Sequence, residues 1–284
     1  MPHILIFGLG YTTARLATRL RNDGWRVTAT RRSATEEAMA FADTDAVRAT
    51  IATASHILSS VPPGDDGADP VLTAYGADIV TSPARWIGYL SATGVYGDTG
   101  GAWVDETAPI GHGRRGARAD ADMAWSNLRD DVRIFRLPGI YGPGRSAIDR
   151  LIDGRARRID LPGQVFSRVH VDDIVSGVMA GFDGPAGTYN LSDDLPCSQN
   201  RVIEAASALS GLPLPPLQSL EEAQLSPMGR AFYSENRRIA NGKAKRVLKW
   251  TPQFPTYREG LARIAMTMPA TDSNAPTTAS VDQR

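Results

Sequence analysis

A chain of 284 residues is long enough for one large α/β domain or two unequal lobes. Its basic and acidic side chains balance at 31 each, so charge gives no reason to expect nucleic acid or an anionic membrane as a partner. A single cysteine, Cys197, excludes an internal disulfide framework and a multi-cysteine zinc site, and four scattered histidines (His3, His56, His112, His170) offer no metal cluster.

The first ten residues, MPHILIFGLG, are too short and too glycine-rich for a signal peptide, and no run of about 18 apolar residues occurs. A cytoplasmic protein with no membrane span is expected.

HILIFG is a short apolar run closed by glycine, the pattern of a buried parallel strand. Residues 11–24 then carry helical spacing, with Ala14, Leu16, Ala17 and Leu20 on one face and Gly24 as a stop. WRVTAT predicts a second strand, and residues 33–42, SATEEAMAFA, predict a short helix capped by Ser33. Next come a strand in HILSSVPPG, a helix over 70–80, a strand in WIGYLS and a helix over 115–128. VRIFRLPGIYGPG reads as a strand opening into a Gly/Pro loop.

Strand and helix in alternation predict a Rossmann-type doubly wound parallel sheet with right-handed crossovers. Ligands bind such sheets beyond the carboxyl ends of the strands, so the turns after Phe7, Thr30, Ser60, Ser91 and Arg136 should converge on one crevice.

Beyond about residue 145 the pattern is mixed. A strand and helix lie in SRVHVDDIVSGVMAGF, a strand in GTYNLSDD, helices over 199–211 and 257–266, and an extended proline-rich piece between them. The expected organisation is a dinucleotide-binding part over 1–145 and mainly a smaller C-terminal substrate lobe over 146–268, with the chain crossing between them. A polar, disordered tail is expected over 269–284.

Gly8-Leu9-Gly10-Tyr11-Thr12-Thr13 follows a strand and opens a helix, the context a pyrophosphate loop requires. Glycine lets the backbone approach phosphate, and the helix start supplies N–H donors and a positive dipole end. Thr13 stands where the usual pattern has a third glycine. The second strand ends Thr30-Arg31-Arg32, with no acid to hold a ribose 2′-hydroxyl. Two guanidiniums suit a 2′-phosphate, so NADP(H) is expected in preference to NAD(H).

The chain resembles the extended short-chain dehydrogenase/reductases, the NAD(P)-dependent epimerase/dehydratase family, in an atypical and poorly characterised bacterial branch. The matching stretches are IFGLGYT (6–12), SSVPP (59–63), YLSATGVYG (89–97), VDETAP (104–109), FRLPGIYGPG (135–144), RVHVDDI (168–174), YNLSDD (189–194) and KRVLKWTPQFPTYREGL (245–261). By that resemblance Gly8 to Thr13 bind pyrophosphate, and Ser60, Val61 and Pro62 pass the cofactor beside Ser91. Leu137, Pro138 and Gly139 lie near the nicotinamide amide. Tyr141, Arg168 and His170 contact substrate.

The family's chemistry uses a Ser or Thr three residues before the Val of VYG, a Tyr, and a Lys four residues after that Tyr. The cation brings a phenol of pKa about 10 toward useful pH. Here the first position is Ala92, and the Tyr and Lys positions fall on Arg114 and Arg118. No Tyr-x-x-x-Lys occurs, and no lysine precedes Lys243. The remaining candidates are Thr93 as the polar group, Tyr96 or His112 as the acid, and Arg118 as the ribose cation. Asp105 and Glu106 are expected in a turn, and Asp172 and Asp173 as caps of the following helix. Two functions stay open at this point: an NADP(H)-dependent oxidoreductase or epimerase/dehydratase-like enzyme acting on a small polar, carbonyl or sugar-like substrate, and a catalytically silent redox sensor binding an effector.

Overall fold

The computed structural model describes residues 1–64, 66–111 and 116–267. In chain order the elements are β1 (His3–Phe7), α1 (Tyr11–Asn22), β2 (Arg26–Arg31), β3 (Met39–Ala40), α2 (Thr44–Ile51), β4 (His56–Ser59), α3 (Pro70–Val80), β5 (Trp86–Ala92), β6 (Trp103–Val104), α4 (Gly116–Ser126), β7 (Val132–Leu137) and β8 (Gly139–Tyr141). They continue as α5 (Ala147–Ile152), β9 (Arg158–Ile159), β10 (Arg168–His170), α6 (Val171–Ala180), β11 (Gly187–Asn190), α7 (Gln199–Ser210), β12 (Leu217–Gln218), α8 (Pro227–Phe232), β13 (Arg238–Ile239), α9 (Gly242–Val247) and α10 (Tyr257–Met266).

Seven strands form one parallel sheet in the order β11-β7-β5-β4-β1-β2-β3. The fold is the doubly wound α/β architecture that the alternation of strands and helices implies. From β1 the chain winds first toward β3, then crosses back to β4 and winds the other way. That reversal leaves a crevice between the ends of β1 and β4, where ligands of open α/β sheets bind.

The strand pleat sorts the core into two layers. Ile4, Ile6, Leu58, Trp86, Leu90 and Phe135 face one way and pack on Leu16, Ala17 and Leu20 of α1 and Ile174 and Val178 of α6. Leu5, Phe7, Ile57, Ile87, Tyr89 and Ile134 face the other and pack on Val47, Ile51, Val71, Tyr75, Ile79 and Trp125. A separate cluster of Tyr141, Ile148, Val202, Ala206, Tyr257, Leu261 and Ile264 holds α5, α7 and α10 together.

Two expectations need correction. Residues 33–42 form no helix. Thr35 and Ala38 close a turn through Thr35 N–H to the Ala38 carbonyl at 2.8 Å, and Met39–Ala40 then joins the sheet edge. Phe41 packs its ring against Phe7 and Tyr75. The helix lies further on, as α2, where Asp43 caps the Ala46 amide at 3.2 Å and Val47 and Ile51, four apart, are buried. β11 pairs with β7 and α6 covers the sheet, so these two elements beyond residue 145 belong to the sheet layer. Second, Asp172 and Asp173 are not the cap of α6. His170 is, its Nδ1 accepting from the Asp172 amide at 3.2 Å. Asp173 instead accepts from the Gln253 and Phe254 amides at 2.5 and 3.1 Å, tying the 253–254 turn to α6. The tail expected over 269–284 lies outside the described residues.

Candidate functional site

The loop between β1 and α1 is set by backbone geometry. Gly8 has φ +87°, a left-handed value, and a Cβ there would sit 2.9 Å from Ser60 Oγ and 3.0 Å from Val61 Cγ2. The loop is stitched to its neighbours. Leu9 N–H donates to the Thr30 carbonyl at 2.9 Å, and the Gly8 carbonyl accepts from Ser60 Oγ at 2.7 Å.

Thr13 accounts for the missing third glycine. Its hydroxyl is buried, accepts from Gly10 N–H at 2.8 Å and donates to the Gly8 carbonyl at 2.6 Å. The side chain thus braces the turn from inside. At Gly10, by contrast, an added Cβ would meet nothing within 4 Å. That glycine keeps a cradle open in front of the α1 N-terminus, as a pyrophosphate bound there requires.

One cavity of about 640 Å³ begins at this cradle. It runs past Ser60 and Pro62 to the end of β5, then past Leu137, Pro138, Gly139 and Tyr141 to the lobe built on α5, α7 and α8. Gly10, Tyr11, Thr12, Thr13, Ser91, Thr93, Arg118 and Arg168 also line it. Gly8 and Val61 stand behind the loop. Arg31 and Arg32 lie exposed at the outer end of β2, and Arg31 Nε donates to the Leu9 carbonyl at 3.0 Å. That bond holds a guanidinium across the edge of the dinucleotide loop.

Beneath the β5 end lies a buried polar network that motif reading missed. Asp122 on α4 receives Arg136 in a two-pronged bond, Nε to Oδ2 at 3.0 Å and Nη2 to Oδ1 at 2.7 Å. Ser91 Oγ donates to the same carboxylate at 2.5 Å. Arg136 Nη1 donates to the Tyr96 hydroxyl at 3.0 Å, which donates on to Asn190 Oδ1 at 2.8 Å. An arginine inside the apolar run IFRL was the available signal, since a buried charge requires a partner.

This network removes Tyr96 from the list of acids. Its hydroxyl is buried, both of its bonds are internal, and burial pushes its pKa above the usual phenol value despite the Arg136 charge. It does not line the cavity. Ser91 likewise turns its hydroxyl to Asp122. What the β5 end presents to the cavity is the Ala92 methyl and Thr93, across from Arg118 in the first turn of α4. His112 and Arg114 lie outside the described residues.

In the C-terminal part, His170 is displaced from its expected substrate contact. It is 1% exposed, packed edge-on against Tyr141 at 5.2 Å and against Phe254 at 4.1 Å. Burial lowers its pKa to about 4, so it is a neutral spacer at physiological pH. Arg168 borders the cavity, but its guanidinium donates to Cys197, at 3.1 Å to Sγ and 3.3 Å to the carbonyl. Glu106 is a strut, accepting from the Asn190 amide at 2.7 Å, and Asp105 closes a turn onto Thr107. Among the described residues, no group of His, Cys, Asp or Glu could hold a metal ion, and no helix is long and apolar enough to cross a membrane.

Asp193 carries a pH dependence. It is 2% exposed, and neither carboxylate oxygen has a hydrogen-bond partner among the described residues. Burial raises its pKa to about 7, against the pull of the Arg168 charge. The folded state therefore keeps a proton that the unfolded chain, with a carboxyl near 3.9, has lost. This contribution to stability is complete below about pH 4 and is lost as pH rises through about 7. Asp193→Asn should accordingly be more stable than the parent at pH 8, by on the order of 2 kcal/mol, and indistinguishable near pH 4. Urea unfolding at the two pH values reads the difference, and a parent more stable than the variant at pH 8 refutes the assignment.

A glycine-loop crevice at the reversal point of a seven-stranded parallel sheet, with a helical lobe across it, defines a Rossmann-type doubly wound α/β protein. A functionally unknown conserved protein from Silicibacter pomeroyi is 40% identical, with a TM-score of 0.82 over 94% of this chain and 99% of that one. The chain belongs to the same family as that protein.

The same fold recurs in UDP-glucose 4-epimerase from Thermotoga maritima, at 16% identity and TM-score 0.75 over 93% of this chain and 97% of that one. It recurs again in the human epimerase family protein SDR39U1 with NADPH, at 14% identity and TM-score 0.75 over 94% and 100%. A curated relative, 3-diazoavenalumate denitrifying reductase from a Streptomyces species, is 29% identical over 142 residues. The match spans 46% of this chain and 46% of the relative, about half the length of each. No family model matches the chain.

Proposed function

We propose that the chain is an NADP(H)-dependent oxidoreductase that acts on a small substrate without the family's tyrosine–lysine pair. The observation that carries this reading is the single cavity joining the Gly10 cradle to the Thr93 and Arg118 side chains. A bound nicotinamide would supply or accept hydride at the β5 end. The protein's own contribution is positional and electrostatic. The α1 N-terminus and the open face of Gly10 hold pyrophosphate. Leu137, Pro138 and Gly139 form the wall on which the nicotinamide end rests. Thr93 orients a polar group of the substrate. Arg118 places a permanent positive charge where negative charge develops, a role that needs no titration. The Streptomyces relative's name, a reductase of a diazo compound, supports reduction over epimerisation.

Arg31 and Arg32 support NADP(H) as the cofactor, with Arg31 already anchored on the Leu9 carbonyl. Titration followed by nicotinamide fluorescence should show NADPH binding at least about tenfold tighter than NADH, a difference of about 1.4 kcal/mol. Arg31→Asp combined with Arg32→Ala should abolish that preference. Unchanged selectivity would refute the 2′-phosphate role.

The same titration, extended to aldehydes, ketones, nucleotide sugars and arenediazonium salts, tests catalysis through substrate-dependent loss of NADPH fluorescence. Arg118→Ala should lower turnover by about 100-fold or more, the scale of losing one transition-state charge contact. A tight NADPH complex that no compound oxidises would favour a silent sensor instead.

A further inference from the structure

The part of the cavity beyond Tyr141 has a composition that the cofactor does not explain. Phe166 and Phe232 both line it, with rings stacked at 4.4 Å and 11°. Phe232 is 46% exposed, a large aromatic surface bordering this cleft. Tyr233 closes on Phe166 edge-on at 5.6 Å. Beside this wall, on α5, stands Arg150, close enough for its charge to act on the Tyr233 phenol.

Arg118 stands at the β5 end of the cavity, away from this corner, and the other arginines that line it are already engaged. Arg168 is held by Cys197. Arg237 donates to the Gly97 carbonyl at 2.6 Å and to Glu235 at 2.9 Å. Arg145 lies over the Tyr11 ring at 5.7 Å, on the dinucleotide side. The Arg150 guanidinium makes no ion pair or hydrogen bond with any described residue.

We propose that this corner binds the substrate, and that the substrate is a small planar aromatic or conjugated carboxylate. The inference rests on the oxidoreductase reading above and names the substrate class for its site. A flat ring pair favours a planar ligand, which stacks offset on the exposed face of Phe232. The guanidinium is a planar fork that matches the two oxygens of a carboxylate. One uncommitted cation in this corner suits a single negative charge there. A nucleoside diphosphate would bring more charge than this corner neutralises, into a cavity that must also hold the nicotinamide end.

The test is calorimetric titration of the full chain, saturated with NADP⁺, with trans-cinnamate, with neutral cinnamamide and with UDP-glucose. Cinnamate should bind at least tenfold more tightly than cinnamamide. Arg150→Gln should remove that advantage while leaving cinnamamide unchanged, and Phe232→Ala should weaken both aryl ligands about fivefold. Both positions are exposed, so the variants should fold.

Equal binding of cinnamate and cinnamamide overturns the proposal, as does an Arg150→Gln variant that binds cinnamate like the parent. Tighter binding of UDP-glucose, or no binding of either aryl ligand at millimolar concentration, also overturns it. NADP⁺ titration of the same samples separates the two readings. Cofactor binding without cinnamate binding rejects only the substrate class, whereas failure to bind cofactor rejects the function on which it rests.

Discussion

Replacing Gly10 by valine should abolish dinucleotide binding while leaving the fold intact. Gly10 has φ −104° and ψ −166°, an extended conformation that a β-branched residue adopts without strain. Its Cβ would meet no atom within 4 Å, so the unliganded protein has room for the side chain. The branched carbons would then project into the cradle before the Tyr11, Thr12 and Thr13 amides. The expected result is a weakening of NADPH binding by about 100-fold or more, about 2.7 kcal/mol, with a melting temperature close to the parent's. Gly8→Ala should behave differently. There the Cβ meets Ser60 and Val61 and the backbone is left-handed, so stability falls together with binding. A Gly10→Val protein that binds NADPH like the parent would show that this loop is not the phosphate site.

The second large effect is structural. Asp122→Ala should leave the Arg136 guanidinium buried without its counter-charge, because the arginine is 5% exposed and two of its three hydrogen-bonding nitrogens point at that carboxylate. Breaking a buried pair on one side costs about 3–5 kcal/mol, a fall in melting temperature on the order of 10 °C for a chain of this size. Ser91 and Tyr96 lose their alignment as well, so the β5 end beside Ala92 and Thr93 should loosen. Asp122→Leu with Arg136→Met should lose less than the sum of the single variants, since two apolar side chains strand no charge. Thermal unfolding of the four proteins measures this. Additive losses would show that the two residues do not act as a pair.

Much of the site was legible before any coordinates. The glycine loop, the strand end at Ala92 and the absence of lysine before Lys243 are local facts, because a phosphate loop is made by consecutive backbone and a missing residue is missing in any fold. Where side-chain direction mattered, the linear reading failed. Tyr96 had the right chemistry for an acid and the right neighbours in sequence. Only the packing of β11 beside β7 brings Asn190 to its hydroxyl and Arg136 to its ring. His170 likewise titrates near neutrality in water, and becomes a buried neutral cap only because Tyr141 and Phe254 enclose it.

The missed helix α2 has a similar cause. Ala38, Met39 and Phe41 fit either a helix or an edge strand by hydrophobicity, and the choice was made by the open edge of β2, which no window of sequence contains. Sequence by itself determined the layer order, the dinucleotide loop and the loss of the usual catalytic cation, because each depends on a contiguous pattern or on residue identity. Tertiary structure alone decided which charges are spent inside the protein and which border the cavity. Asp122 with Arg136 and Arg168 with Cys197 are joined across 14 and 29 residues, leaving Arg118 between the Tyr89 phenol and the cavity and Arg150 at the cavity's far end.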